Sequence, residues 1–258
     1  MPYAYTEDAI PIYYEAAGHG VPIIFIHSPA LGHVVFKKQR SLASDKQVIT
    51  YDLRGNGRSG SNDQPMTMPQ LTKDVLAVLN DLEVERAVIC GYSNGCSVAL
   101  EFALSYPERT EAVILCGGFP EVNSFLLQNE FKLGIYTSQL KAVGLLANVL
   151  AKAHCKTKEF EQELRQYVLR SNPNVVAQQF NEGLHYQCTN RLTDLKKPLL
   201  LVYGRWDVVV PHYRKLFLER VDDVEVAWVS KATHQIPTKH ADEFNHIIRD
   251  FIERKVNA

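Results

Sequence analysis

The stretch from Ala87 to Leu100 limits what this chain can fold into more than any other. A short apolar run with branched side chains (Ala87-Val88-Ile89-Cys90) leads straight into Gly91-Tyr92-Ser93-Asn94-Gly95, and small residues and then a helix-forming segment follow. The pattern predicts a buried strand from Arg86 to Cys90, a sharp turn at Ser93 and a helix beyond it. A turn that tight strains the serine backbone, so its neighbours must be nearly free of side chain, a need that Gly91 and Gly95 meet. The turn would lift the Ser93 hydroxyl out of the sheet. It would also leave the Asn94 N–H at a helix N-terminus, aimed where an oxyanion would form. A Gly-flanked serine in an ordinary strand-to-helix turn has the same five letters; the strand before it and the helix after it are what the chemical reading requires.

Around this stretch, strand-like and helix-like runs alternate. Tyr3, Tyr5, Ile10, Ile12 and Tyr14 predict an antiparallel strand pair at a sheet edge. Pro22–His27 and Gln47–Tyr51 read as buried strands, with a helix-like stretch to about Leu42 between them. Leu71, Val75, Val78, Leu79 and Leu82 form the apolar face of a helix over 67–82, and Thr67 with Gln70 reads as its capping box. Glu111–Cys116 is a further strand. The alternation implies a largely parallel sheet with right-handed crossovers. It lapses between about Gly118 and Leu195, where Tyr136, Leu140, Val143, Leu146 and Leu150, and then Phe160, Leu164, Tyr167 and Val168, recur at helical spacing. A helical cap over the C-terminal edge of the sheet is expected there, broken once at Asn172-Pro173-Asn174. Strands then return at Pro198–Tyr203 and Val224–Val229, with a short helix at Tyr213–Leu218 and a closing helix at Ala241–Val256. The expected domains are a core of 1–117 plus 196–258 and a cap of 118–195.

The bulk properties exclude several classes. The chain has 258 residues, 46% of them hydrophobic, and a formal net charge of −1, which suits one large α/β domain and argues against nucleic acid or an anionic membrane as partner. The five cysteines (Cys90, Cys96, Cys116, Cys155, Cys188) include no Cys-x-x-Cys pair, and the first residues lack a basic and apolar leader. A reducing, cytoplasmic setting is expected, with no membrane span.

Together these residues resemble the α/β-hydrolase family, and the likeness runs along nearly the whole chain. The resemblance implies an eight-stranded, mostly parallel sheet flanked by helices, with an inserted helical cap, in the esterase, lactonase and haloperoxidase branch. It also implies a triad in the order Ser, acid, His. Gly204-Arg205-Trp206-Asp207-Val208-Val209-Val210-Pro211, after a late strand, is similar to the family's Gly-x-x-Asp-x-x-x-Pro acid loop. Glu121, after the strand ending at Cys116, is the rival acid. His234 follows the last strand, where the family's histidine loop lies; Thr233 and His240 stand where many members have Gly and Glu. His154 and His185 fall in the cap, His212 near a short helix, and His240 and His246 by the closing helix, so they compete poorly. Ser93 as nucleophile, His234 as base and Asp207 as orienting acid follow.

The first oxyanion donor expected is the Asn94 N–H. His27-Ser28-Pro29-Ala30-Leu31-Gly32 resembles the His-Gly-x loop that supplies the second, but the usual donor position is Pro29, which has no N–H. Either Ala30 takes over by a one-residue shift, or the hole is formed differently in the Ser28–Ala30 region. His27 is expected to be structural. Gly55-x-Gly57-x-x-Gly60 has the spacing of a dinucleotide fingerprint, but Ser61-Asn62-Asp63-Gln64-Pro65 is a loop and not a helix start, so no nicotinamide cofactor is inferred.

The reading is a serine hydrolase without cofactor or metal that cleaves a small ester, thioester or lactone. Its substrate pocket is expected to include Pro29, Phe119, Phe125, Phe131, Tyr136 and Val208. Carbon–carbon bond hydrolysis or perhydrolysis by the same triad is the enzymatic alternative. A ligand-binding or signalling protein on a hydrolase scaffold is the alternative from another class. Substrate identity and oligomeric state are not legible.

Overall fold

The computed structural model describes residues 2–256. Eight strands form one sheet: β1 (Tyr3–Tyr5), β2 (Pro11–Ala17), β3 (Val21–Ile26), β4 (Lys46–Tyr51), β5 (Ala87–Tyr92), β6 (Thr110–Cys116), β7 (Leu199–Gly204) and β8 (Val224–Val229). Their order is β1-β2-β4-β3-β5-β6-β7-β8. The β1–β2 and β2–β4 pairs are antiparallel and all the others parallel. This is the α/β-hydrolase architecture expected from the sequence.

The central strands β5 and β7 are buried along their whole length, which is why they carry no charged residue, whereas the edge strand β8 is mostly half-buried and carries Glu225. Alternate residues serve opposite cores. Ile24, Ile26, Ile49, Tyr51, Ile89 and Leu115 pack against α1 (Met68–Asp81) and α2 (Gly95–Ser105), while Ile23, Phe25, Val48, Val88, Cys90 and Ile114 face the other way. Thr67 caps α1 by accepting from the Gln70 N–H.

Between β6 and β7 lie α3 (Phe125–Gln139), α4 (Val143–His154), α5 (Lys158–Val168) and α6 (Pro173–His185). The single break expected at Asn172 is one of three. Each of α3, α5 and α6 starts on its own side-chain cap, from Ser124, Thr157 and Asn172. After β7 come α7 (Arg214–Leu218), α8 (Ile236–Lys239) and α9 (Ala241–Lys255). The helix-like stretch before β4 winds as 3₁₀ turns over His33–Ser44. Among the described residues, no helix is long and apolar enough to cross a membrane.

The loop after β4 is locked to α1 by ion pairing. Arg54 donates from Nε to Asp74 Oδ2 at 2.7 Å and from Nη1 to Asp8 Oδ2 at 3.0 Å, and both Arg54 and Asp74 are buried. Removing one member of a buried pair strands the other charge. Asp74→Ala should therefore cost about 3 kcal/mol, read as a lower urea midpoint at unchanged slope. A loss below about 1 kcal/mol would mean that Asp8 alone satisfies the guanidinium.

Candidate active site

β5 ends at Tyr92, and Ser93 then takes a left-handed backbone, φ +55°. Two close approaches make the flanking glycines necessary. A Cβ on Gly91 would lie 2.6 Å from the Cys96 Cα, and one on Gly95 would lie 2.3 Å from the Ile26 carbonyl oxygen. The Ser93 N–H donates to the Cys116 carbonyl at 2.9 Å, tying the turn to the end of β6. Every residue from Ala87 to Ala103 is buried except Ser93, which reaches solvent.

Asp207 and His234 come from the loops after β7 and β8, at the same edge of the sheet. The Arg205 N–H donates to Val229 O at 3.1 Å and the Trp206 N–H to Ala232 O at 2.9 Å, so the two loops are stitched together. The His234 Nδ1–H donates to Asp207 Oδ2 at 2.8 Å, while Asp207 Oδ1 accepts from the Val209 N–H at 2.9 Å. Burial alone would raise the Asp207 carboxyl. The hydrogen bond and charge of His234, with the backbone N–H groups of Val209 and Val210, hold it below its ordinary value. Bonded in this way, neutral His234 keeps its Nε2 lone pair free.

Gly117, at the end of β6, faces the imidazole: a Cβ there would lie 2.6 Å from His234 Cε1. His234 thus shares the Cys116–Gly117 corner with Ser93. Among the described residues no hydrogen bond joins Ser93 Oγ to His234. Such contacts are often long without substrate and tighten on binding. The rival acid Glu121 is engaged elsewhere, with Thr189, Gln187 and Asn123.

Two neighbours of His234 were not anticipated. The Tyr92 ring lies 5.5 Å from the imidazole, and its hydroxyl donates to His154 Nε2 at 3.0 Å, while the His154 Nδ1–H donates to Leu150 O at 2.8 Å. This chain of contacts joins α4 to β5 beside the site. Glu130 of α3 lies within electrostatic reach: partial desolvation raises its carboxyl, opposed by His234 and reinforced by Asp207. No motif marks His154 of α4 or Glu130 of α3; only the packing of these helices beside β5 and His234 reveals them.

The oxyanion expectations divide. The Asn94 N–H has no acceptor among the described residues and sits at the start of α2, as expected. The Ala30 N–H does not: it donates to Asn56 Oδ1 at 2.6 Å. Ser28-Pro29-Ala30-Leu31 closes a turn through Leu31 N–H to Ser28 O at 3.2 Å, with Ala30 at φ +70°. Proline at the second position and a left-handed third position are the marks of a type II turn, whose third N–H points outward and here meets Asn56. His27 is structural: fully buried, it donates from Nδ1 to Ser28 O at 2.7 Å and accepts at Nε2 from the Leu53 N–H at 2.9 Å.

The residues expected to line a pocket are not gathered in one place. Phe125, Tyr136 and Val208 stand open to solvent, 80%, 62% and 82% exposed. Phe119 and Phe131 are buried and meet edge to face at 5.9 Å, inside the core that also holds Phe180 and Tyr213. Pro29 is buried in its turn. A cleft of about 690 Å³ runs between Thr6–Asp8 and α1, and neither Ser93, Asp207 nor His234 lines it. The Gly55–Gly60 loop has no helix at its end; α1 begins only at Met68. Its glycines serve packing: a Cβ on Gly55 would strike Val175, and one on Gly57 would strike Asp52 and Tyr167.

Comparison with known proteins places these features in a wider group. Residues 39–250 match a family model described as serine aminopeptidase, S33. RutD of Azorhizobium caulinodans, provisionally named a carbamate hydrolase, is 28% identical over 97% of this chain and 98% of its own. The pimeloyl-[acyl-carrier protein] methyl ester esterase of Aeromonas hydrophila subsp. hydrophila is also 28% identical, over 92% and 98%. Among solved structures, an esterase from Exiguobacterium antarcticum superposes with TM-score 0.87 at 16% identity, covering 97% of this chain and 98% of its own. The enol-lactonase of Burkholderia xenovorans LB400 superposes with TM-score 0.85 at 21% identity, covering 98% and 100%. At these identities the structural likeness bears on the fold alone.

The two buried histidines beside the site set an acid limit. Burial pushes His27 and His154 down to about 4. Unfolded imidazoles take up protons near 6.5, the folded ones only near 4, so the unfolded state binds more protons between these values. Their contribution is complete above about pH 6.5 and is lost as pH falls towards 4, roughly 3 kcal/mol for each group. The urea midpoint should fall steeply from pH 6.5 to 4.5, and less steeply in His154→Gln. Equal slopes in the two proteins would remove His154 from this role.

Proposed function

The chain belongs to the α/β-hydrolase family, and we propose that within it this protein is a cofactor-independent serine hydrolase that cleaves a small ester, thioester or lactone. One observation carries the reading: an ionised Asp207, its side chain covered, holds the His234 Nδ1–H at 2.8 Å beside a serine in a left-handed turn at the same sheet edge. In the proposed cycle, Ser93 Oγ attacks the carbonyl carbon as His234 Nε2 takes its proton, and Asp207 stabilises the imidazolium. The Asn94 N–H donates to the oxyanion. Collapse expels the alcohol or thiol, protonated by His234, and leaves an acyl group on Ser93. His234 then deprotonates a water, which releases the acid. The helices of residues 118–195 act as the cap of this site, with 1–117 and 196–258 as the core. The names of the relatives, for ester, carbamate and enol-lactone substrates, support acyl-transfer chemistry in general more than any one substrate.

A second reading, a ligand-binding protein on the same scaffold, is favoured by one observation. Pro29 has no N–H and that of Ala30 is engaged, so the loop after β3 offers no backbone donor at either position. A fluorophosphonate adduct on Ser93, absent in Ser93→Ala, separates the two readings. If the adduct forms, His234→Ala should lower turnover of p-nitrophenyl esters by about 10³-fold or more, and Asp207→Asn by a comparable factor, with little change in melting temperature. A loss below tenfold for His234→Ala would remove it from the role of base.

A further inference from the structure

We propose that the Ser28 hydroxyl is the second oxyanion donor, an inference that rests on the serine-hydrolase reading. Register supplies the proximity. β3 and β5 are adjacent and parallel, with Ile26 paired to Gly91. Ser28 and Ser93 are each two residues beyond that pair, just past the ends of two strands that run about 4.8 Å apart. A Cβ on Gly95 would strike Ile26 O at 2.3 Å and His27 O at 2.8 Å, so the chain entering Ser28 lies against the start of α2, next to the Asn94 N–H.

Exposure singles out the same residue. Every residue from Ile23 to Phe36 is buried except Ser28, just as every residue from Ala87 to Ala103 is buried except Ser93. The two partly open positions each follow by two residues the last paired residues of neighbouring strands.

The other donors of the loop are spent or turned away. Pro29 has none. The Ala30 N–H is held by Asn56 Oδ1, and the Leu31 N–H closes the turn. The Gly32 N–H is turned inward, its nitrogen 3.3 Å from Nδ1 of buried His27. The Ser28 hydroxyl has no partner among the described residues. The Ser28 carbonyl is pinned by the Leu31 N–H and the His27 Nδ1–H, which fixes the backbone that carries the side chain.

During attack, the Ser93 Oγ–carbon bond forms as the carbonyl π pair moves to oxygen and the Ser93 proton moves to His234 Nε2. The oxyanion then accepts from Asn94 N–H and Ser28 Oγ–H. When the carbon–leaving-group bond breaks, the π bond re-forms and both donors relax. Ser28 neither gains nor loses a proton. A side-chain donor thus takes the place of the N–H that Pro29 removed.

The test uses p-nitrophenyl butyrate with wild type, Ser28→Ala and Ser28→Cys. The cysteine keeps the bulk but is only a weak donor. Both variants should lose about 10²–10³-fold in kcat, with KM within about threefold and an unshifted melting temperature. Wild-type kcat in Ser28→Cys, or in Ser28→Ala, overturns the assignment. If Ser28→Ala is misfolded by its melting curve, Ser28→Cys decides alone. Wild type that forms no fluorophosphonate adduct at Ser93 overturns the parent reading and this one together; an adduct in wild type with full turnover in Ser28→Cys overturns this one only.

Discussion

The whole arrangement depends on how closely the first turn of α2 approaches the end of β3. The Ile26 carbonyl lies where any side chain on residue 95 would begin. That contact fixes the height of the helix start above the sheet, and with it the direction in which its free N–H groups point. Ser93 pays for the approach with a left-handed backbone, a conformation that L-residues avoid unless their surroundings hold them in it. Here the hold comes from both sides, from the Cys116 carbonyl below and the buried strand before it.

A second constraint is the buried polar web behind the site. Asn56 accepts from Ala30 and donates to Gln179 Oε1, Gln179 donates to the Arg54 carbonyl, and Asn94 Nδ2 donates to the Gln179 carbonyl. Asn56, Gln179 and Asn94 are all buried. Such groups are costly unless satisfied, so each bond holds its loop in one position. The web joins the loop after β3, the loop after β4, α6 and the serine turn. It leaves Asn94 Oδ1 without a partner among the described residues.

Much of this was legible in the chain. Strand and helix types follow from unbroken apolar runs and helical spacing, and the acid and histidine loops stand out because each directly follows an apolar strand. What could not be read was which face of a helix is covered. Phe125, Phe131 and Tyr136 are all aromatic residues on α3, yet only Phe131 meets Phe119 and Phe180, while the other two face water. Nothing local distinguishes them; the position of α6 does. Likewise, the fate of the Ala30 N–H depends on Asn56, 26 residues further on, and no motif announces that bond.

The glycines at 32, 55 and 57 have a consequence for how such proteins diversify. Their missing side chains are sockets, filled by Tyr167 from α5 and Val175 from α6. The helical segment is therefore keyed to its own base rather than resting on a generic platform. Exchanging it for the corresponding segment of a relative would put foreign bulk into these sockets or leave them hollow, and would take from the buried Asp52 carboxylate the hydrogen bond that Tyr167 supplies at 2.7 Å. The helical segment and the loops it sits on are expected to change as one unit, a substitution on one side of a socket calling for a matching one on the other.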